Sequence, residues 1–277
     1  MLQKHIIRNI VQSAIEEDVG ATDITTTAAL TGEEIGKALA LAKSDVVVAG
    51  IDVFKETFLF LDRGMQFKGC CKDGEFVGKG GCLAEISGNL SRMLTAERVA
   101  LNFFQRMCGI ATLTRRYVDE VKGTKAKILD TRKTVPGLRY LDKYAVRIGG
   151  GHNHRYGLYD GVLIKDNHIA AAGGISQALA RVRGRLPHTL KIEIEVKNLQ
   201  ELEVAINSGA DVIMLDNMSL EDIRKAVAVT GGRLPLEASG NVTLANVRKI
   251  AETGVDFISV GALTHSVPAS DISLKIE

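Results

Sequence analysis

The stretch LKIEIEVKNLQELEVAINSGADVIMLD, residues 190–216, decides the fold. It opens with a short apolar run, LKIEIEV, continues through NLQELEVAINSG, whose apolar residues fall at helical spacing before a glycine, and returns to a second run, ADVIMLD. Runs of this length read as strands, and the segment between them as a crossover helix stopped at glycine. Strands joined in this way pair in parallel. The same alternation extends outward in both directions: AKILDTR and GVLIKDN precede it, and LPLEASG and VDFISVG follow, with SLEDIRKAVAVTG and TLANVRKIAETG between strands. A one-way series of strand and helix predicts an α/β fold with a parallel β/α barrel over residues 110–266, an open doubly wound sheet being the alternative. The units share no consensus motif, which argues against a solenoid.

Upstream the texture differs. Residues 4–17 carry Ile6, Ile7, Ile10, Val11, Ala14 and Ile15 at helical spacing, and residues 35–87 break into short β-like runs with Asp73-Gly74 as a hairpin signal. SRMLTAERVALNFFQRM then reads as a helix with Ser91 as N-cap, and Gly109 is expected to interrupt it. That glycine marks the expected end of an N-terminal α/β domain, residues 1–109, with a second helical stretch beyond.

Composition excludes several function classes. The 277 residues are 45% hydrophobic and 25% charged, as in globular proteins, and no apolar run approaches the length of a membrane span. Charges interleave the apolar residues of the N-terminal segment, so a cytoplasmic protein without a membrane partner is expected. Four cysteines, Cys70, Cys71, Cys82 and Cys108, show no paired framework and no metal-ligand spacing, and read as small buried hydrophobes. A net charge of +2 argues against a broad nucleic-acid surface. Between Arg132 and Lys165, however, seven Lys/Arg face two acidic residues, a local charge of +5. Such focusing suits a small anion.

The strand-like runs end in reactive residues: Asp130-Thr131-Arg132-Lys133, Lys165-Asp166, Glu193 and Glu195, Asp216-Asn217, Glu237 with Ser239-Gly240-Asn241, and Gly261. In a β/α barrel the C-terminal strand ends build the active site, so these residues are expected on one rim. Glu195 and Asp216 lie one repeat apart and are expected at equivalent heights on neighbouring strands, where two carboxylates could share Mg²⁺; salt bridging to nearby cations is the alternative. SGNV and VGALTHS, after the last two strands, supply small residues and backbone N–H groups where barrels commonly hold phosphate. In GGGHNHR, residues 149–155, the glycines lack nucleotide-loop spacing and the two histidines lack further metal ligands nearby. What remains is a donor cluster of Arg132, Lys133, Arg139, His154, Arg155 and Lys165, whose forks and ammonium groups match carboxylates and phosphates. A strongly acidic ligand is implied.

Through EEDVGATDITT, TAERVALNFFQRMCGIAT, DTRKTVPGLRYLDKYAVRIGGGHNHRYGLYDGVLIKDNH, EIEV, IMLDNM, EASGN and GVDFISVGALTHS, the chain resembles the quinolinate phosphoribosyltransferase family over nearly its full length. The resemblance implies an N-terminal α/β sandwich, joined by the C-terminal tail 267–277, and an irregular β/α barrel. It implies a homodimer or higher homo-oligomer in which one subunit closes the partner's barrel mouth. The implied reaction joins quinolinate to phosphoribosyl pyrophosphate with loss of pyrophosphate and CO₂, giving nicotinate mononucleotide for NAD synthesis. Arg132, His154, Arg155 and Lys165 would bind the quinolinate carboxylates, with Arg98 entering from a neighbouring subunit. Lys133 would approach the sugar donor, Glu195 and Asp216 would hold Mg²⁺, and Ser239, Gly240 and Gly261 would line the 5′-phosphate site. Two departures stand out: Asn241 replaces a glycine common in the family, and Cys108 replaces a common serine. Rival readings are an aldolase using Lys165 as an imine-forming amine, a paralogue linked to molybdenum transport with an altered acid pocket, and a non-catalytic binder of phosphorylated metabolites.

Overall fold

The computed structural model describes residues 2–277. Its strands, in chain order, are β1 (Ile35–Ala42), β2 (Val46–Val47), β3 (Gln66–Gly69), β4 (Phe76–Val77), β5 (Cys82–Asn89), β6 (Lys127–Leu129), β7 (Val162–Ile164), β8 (Ile192–Val196), β9 (Val212–Asp216), β10 (Leu236–Ser239), β11 (Phe257–Ser259) and β12 (Ile272–Ile276). The chain divides into two compact units. One holds the residues up to Arg115 together with Thr134–Gly150 and Ser266–Glu277; the other holds Arg116–Lys133 and Gly151–His265.

In the first unit an antiparallel sheet runs in the order β12-β1-β5-β3, beside a small β2-β4 pair. Alternation sets its inner face: Ala38, Ala40 and Ala42 on β1 are fully buried, as the KALALA pattern requires. Behind them Phe54 stacks on Phe104 at 4.7 Å between ring centroids and meets Phe58 edge-on at 5.1 Å. Burying each ring contributes about 1.5–3 kcal/mol.

Two sequence expectations fail here. The helix Leu90–Glu120 runs without a break through Gly109. An interior glycine costs a helix only about 0.5–1 kcal/mol, too little to end one that is heavily buried. Its purpose is clearance, since a Cβ at Gly109 would overlap the carbonyl oxygen of Pro268 in the C-terminal segment. The cap also moves back two residues: the helix follows directly from β5, and the Asn89 side chain, not that of Ser91, accepts the Arg92 N–H at 3.0 Å. Further along the same helix, Arg106 donates a paired fork to the buried carboxylate of Asp142, with both bonds at 2.8 Å. This ties it to the helix Arg139–Ile148.

The second unit contains six parallel strands in the order β6-β11-β10-β9-β8-β7. Neighbours in the chain are neighbours in the sheet from β7 to β11, as the repeat predicts. The sheet is an irregular barrel rather than a regular one: β6 and β7 end its hydrogen-bonded series, and β6 gains on its other side only a single parallel bridge, Leu129 to His152. Every residue of β8 is buried, and Glu193 and Glu195 are each only 8% exposed. The alternation in IEIEV therefore points glutamates into the barrel and isoleucines toward the surrounding helices. Among the described residues no helix is long and apolar enough to cross a membrane.

Gly109→Ala tests the clearance argument. Helix propensity alone would favour alanine, whereas overlap with Pro268 should lower stability by about 1–3 kcal/mol. Chemical denaturation should show a loss; a gain would contradict the packing described.

Candidate active site

The site starts from one buried carboxylate. Asp130, fully buried just beyond β6, accepts the backbone N–H of His154 on Oδ1 at 2.9 Å and the side-chain amide of Asn153 on Oδ2. Its own backbone N–H donates to the His152 carbonyl (3.1 Å), while the His152 N–H donates to Ile128 (2.8 Å). Residues 152–154 are thereby laid along the free edge of β6. The second half of GGGHNHR is a strand-like rail for His154 and Arg155.

Those two side chains face a cavity of about 850 Å³ at the C-terminal ends of the strands, within the usual range for small-ligand sites. Arg132, Lys133, His154, Arg155, Lys165, Glu195, Asp216, Ser239, Gly240 and Gly261 all line it. Ten of the eleven expected site residues thus converge. Arg98 does not line it and lies exposed on the helix Leu90–Glu120. The local excess of positive charge is also less concentrated than its sequence span suggested. Arg139, Lys143 and Arg147 belong to the first unit, and Arg139 donates to Thr134 Oγ1 there at 3.0 Å.

Of the remaining cations, Arg155 is held under electrostatic strain. Arg155 donates to the Gly161 carbonyl at 3.1 Å. Burial, followed by repulsion from Arg132, pulls its guanidinium below the usual arginine range, while Glu193 and Asp160 oppose that shift. Lys165 Nζ lies 2.8 Å from Glu195 Oε2, so the salt-bridge alternative holds for Glu195 in the ligand-free chain. Glu195 and Asp216 are not at equal height. Glu195 pairs with Met214, and Asp216 pairs with Ser239 one step further along. The reason is register: β8 and β9 pair at an offset of 19 residues, shorter than the repeat of 21, as staggered barrel strands allow. Two-residue periodicity still turns both carboxylates toward the cavity. Their oxygen donors suit a hard cation such as Mg²⁺.

Beyond β9 and β10 the backbone turns sharply. Asn217 and Asn241 have φ of 53° and 49°, the left-handed region that asparagine tolerates better than other non-glycine residues. Asn241 can therefore replace the family's glycine, and its amide donates to Asn217 Oδ1 at 3.1 Å. Gly240, with φ of 100°, has no such substitute, because a Cβ there would collide with the Asn217 side chain. At Gly261 a Cβ would come within 3.0 Å of the His265 ring and 3.2 Å of Lys133 Cδ.

Beneath the cations lies a network that the sequence reading registered only as strand endings. The Arg155 N–H donates to His154 Nδ1 (2.7 Å), leaving Nε2 as the protonated nitrogen, 2.9 Å from Glu193 Oε2. Glu237 Oε2 is 3.8 Å from the same Nε2. One oxygen of each glutamate is buried without a hydrogen-bond partner. Burial, reinforced by the negative charge of Glu193, pushes the Glu237 carboxyl up to about 8. Glu193 alternates with isoleucines as on a half-exposed strand, so its spacing does not mark it as interior. Asn217, expected on the rim as a strand ending, lines the cavity, as does His265, which no strand ending marks.

Comparison with known proteins agrees with this geometry. Residues 23–108 match the N-terminal domain model of quinolinate phosphoribosyl transferase, and residues 110–275 match its C-terminal domain model. The chain is 44% identical to a probable nicotinate-nucleotide pyrophosphorylase [carboxylating] of Bacillus subtilis (strain 168), over 98% of this chain and 93% of that one. It is 46% identical to a chloroplastic nicotinate-nucleotide pyrophosphorylase [carboxylating] of Arabidopsis thaliana, over 98% and 83%. It also superposes on the nicotinate-nucleotide pyrophosphorylase structure from Francisella tularensis with a TM-score of 0.95 at 42% identity, covering 100% of this chain and 98% of the other.

Glu237 predicts a pH signature. Its carboxyl is protonated in the folded chain but ionised in the unfolded chain between its ordinary value of 4.5 and about 8. The folded state binds the extra proton, so this group's contribution to stability falls as pH rises across that window. Glu237→Gln should remove the slope, and its melting temperature relative to the wild type should climb from pH 5 to pH 8. A difference independent of pH would contradict the assignment.

Proposed function

The chain belongs to the quinolinate phosphoribosyltransferase family, and from that membership we propose how its own residues perform the family's reaction. It transfers the phosphoribosyl group of phosphoribosyl pyrophosphate to quinolinate, with loss of pyrophosphate and CO₂, giving nicotinate mononucleotide in NAD biosynthesis. The observation that carries the assignment of roles is the convergence of Arg132, Lys133, Arg155 and Lys165 on one cavity with two inward carboxylates at its strand ends.

Arg132, Arg155 and Lys165 bind the two quinolinate carboxylates. The strain on Arg155 supports this role, since an incoming dianion relieves both its burial and its repulsion by Arg132. His154 contributes its Nε2–H side of the pocket, where a substrate carboxylate competes with Glu193. Lys165 is similarly shared, because a carboxylate that draws it away frees an oxygen of Glu195. Ser239, Gly240 and Gly261 receive the 5′-phosphate at the narrow turns after β10 and β11, and Lys133, whose side chain packs over Gly261, reaches the sugar donor.

Glu195 and Asp216 would hold Mg²⁺, which when bound supplies positive charge opposite the departing pyrophosphate. The residues themselves orient the quinolinate nitrogen toward the anomeric carbon, so that the new C–N bond forms as the bond to pyrophosphate breaks. Once the ring nitrogen carries positive charge, the adjacent ring carbon can hold the electron pair left by departing CO₂ and then take a proton from solvent, which gives nicotinate mononucleotide. No protein nucleophile is required. The reading includes a homodimer in which Arg98 of a second copy completes the acid site; the exposure of Arg98 on its helix supports this. It also includes a cytoplasmic location, in keeping with a first helix, Lys4–Val19, that buries Ile7, Val11 and Ile15 as part of the fold.

Incubation with quinolinate, phosphoribosyl pyrophosphate and Mg²⁺ should yield pyrophosphate and nicotinate mononucleotide in equal amounts. Arg155→Ala should raise KM for quinolinate about 10–100-fold, the loss of one charge-assisted contact. Asp216→Ala should act mainly on use of the sugar donor and on the Mg²⁺ requirement. Absence of both products from folded protein would overturn the function. Equal, small effects of the two substitutions would overturn the roles.

A further inference from the structure

The first unit holds a feature unconnected with the acid cavity. The sequence showed no cysteine pairing, yet the structure brings Cys70 Sγ to 3.0 Å from Cys82 Sγ. That separation is shorter than an ordinary sulfur–sulfur contact. The cause is a β-bulge. On β5, Glu85 pairs with Leu39 and Ala84 with Ala40, but Leu41 pairs with Cys82, so Leu83 is an extra residue. Strict alternation from the outward-facing Glu85 would turn Cys82 inward; the extra residue returns it to the outer face, a usual effect of a bulge. Opposite, Lys68 pairs with Glu85 on β3, and Cys70, two residues later, shares the outer face with Lys68. Cys71 is turned the other way, with its thiol donating to the Leu83 carbonyl at 3.4 Å and its side chain against the core.

Glu85 also lies close enough to join the two sulfurs around a metal. The local charge argues otherwise. Its carboxylate already has Lys37 at 3.2 Å and Lys68 at 3.3 Å, two ammonium groups that a divalent cation would have to displace. Cys70 is exposed, so an oxidant can reach it. The Cys82 thiol is pushed up to about 12, mainly by burial, which suits the second partner in an exchange rather than the first.

We propose that Cys70 and Cys82 form a reversible modification site that takes a small disulfide of the glutathione type and closes into an intrachain disulfide between β3 and β5. The Cys70 thiolate attacks the oxidant, releasing one small thiol and forming a mixed disulfide. Cys82 then loses its proton to water and attacks the Cys70 sulfur, releasing the second small thiol. The two protein thiols lose two electrons and two protons, and the oxidant is reduced to two thiols. The bond pins β3, the edge strand of the antiparallel sheet, and closes a loop that includes β4.

The test equilibrates the full-length protein in glutathione buffers of increasing oxidised fraction, then quenches by alkylation, digests with trypsin and maps the peptides by mass. Lys72 and Lys79 lie between the two cysteines, so a bridge appears as two peptides joined by one bond. In the wild type and in Cys71→Ser, Cys70 and Cys82 should become protected together as that linked pair, reversed by dithiothreitol. The bridged form should unfold roughly 5 °C higher, because the cross-link restricts the unfolded chain. Cys70→Ser and Cys82→Ser should each abolish the linked peptide and the thermal shift while leaving transferase activity intact. The proposal is overturned if the pair never links in excess oxidised glutathione, if the link uses Cys71, or if stoichiometric Zn²⁺ protects both thiols and blocks the bridge.

Discussion

The site depends on a carboxylate that need never touch substrate. Asp130 is sealed beneath the end of β6 and uses its two oxygens on consecutive residues, Asn153 and His154. A carboxylate can accept at both oxygens, whereas an amide presents one acceptor and one donor. The segment it grips joins β6 by a parallel bridge between Leu129 and His152. The position of Arg155 therefore depends on the two acceptor oxygens of buried Asp130.

A second constraint is the balance of charge beneath and around the cavity. Arg155 is disfavoured by burial and by Arg132, and Glu193 partly offsets both effects. Glu193 in turn faces Glu237, which answers by keeping its proton. His154 separates the two layers, with its tautomer fixed by the amide of Arg155. The cavity then sets four cations, Arg132, Lys133, Arg155 and Lys165, beside the carboxylates of Glu195 and Asp216, with Glu193 and Glu237 as its floor.

Much of this was legible in the sequence, for identifiable reasons. The strand–helix period in residues 190–216 is a direct imprint of the parallel barrel, and polar residues at strand ends marked the rim because the interior of each run had to be apolar. Ten of the eleven named residues meet at one cavity for that reason. What failed depended on three-dimensional register or on tertiary clearance. Glu195 and Asp216 differ in height because strand pairing, not repeat length, sets elevation. Gly109 sits inside a helix because its role is toward Pro268, a contact 159 residues away in the chain. Glu193 and Glu237 are legible as strand endings but not as a buried network, which exists only once the barrel closes around them, and Cys82 reaches Cys70 only through a bulge that has no sequence marker.

The most direct test of the clamp is the steady-state kinetics of Asp130→Asn, varying each substrate in turn. An amide keeps the His154 N–H on its oxygen but meets Asn153 only with that side chain turned round and without the carboxylate's charge, so the rail should loosen and KM for quinolinate should rise at least about tenfold, a loss of about 1.4 kcal/mol. KM for phosphoribosyl pyrophosphate should stay within about twofold, since of its residues only Lys133 follows β6 while Glu195, Asp216, Ser239, Gly240 and Gly261 hang from other strands. Unchanged constants for both substrates, or equal losses for both in a folded variant, would contradict the account.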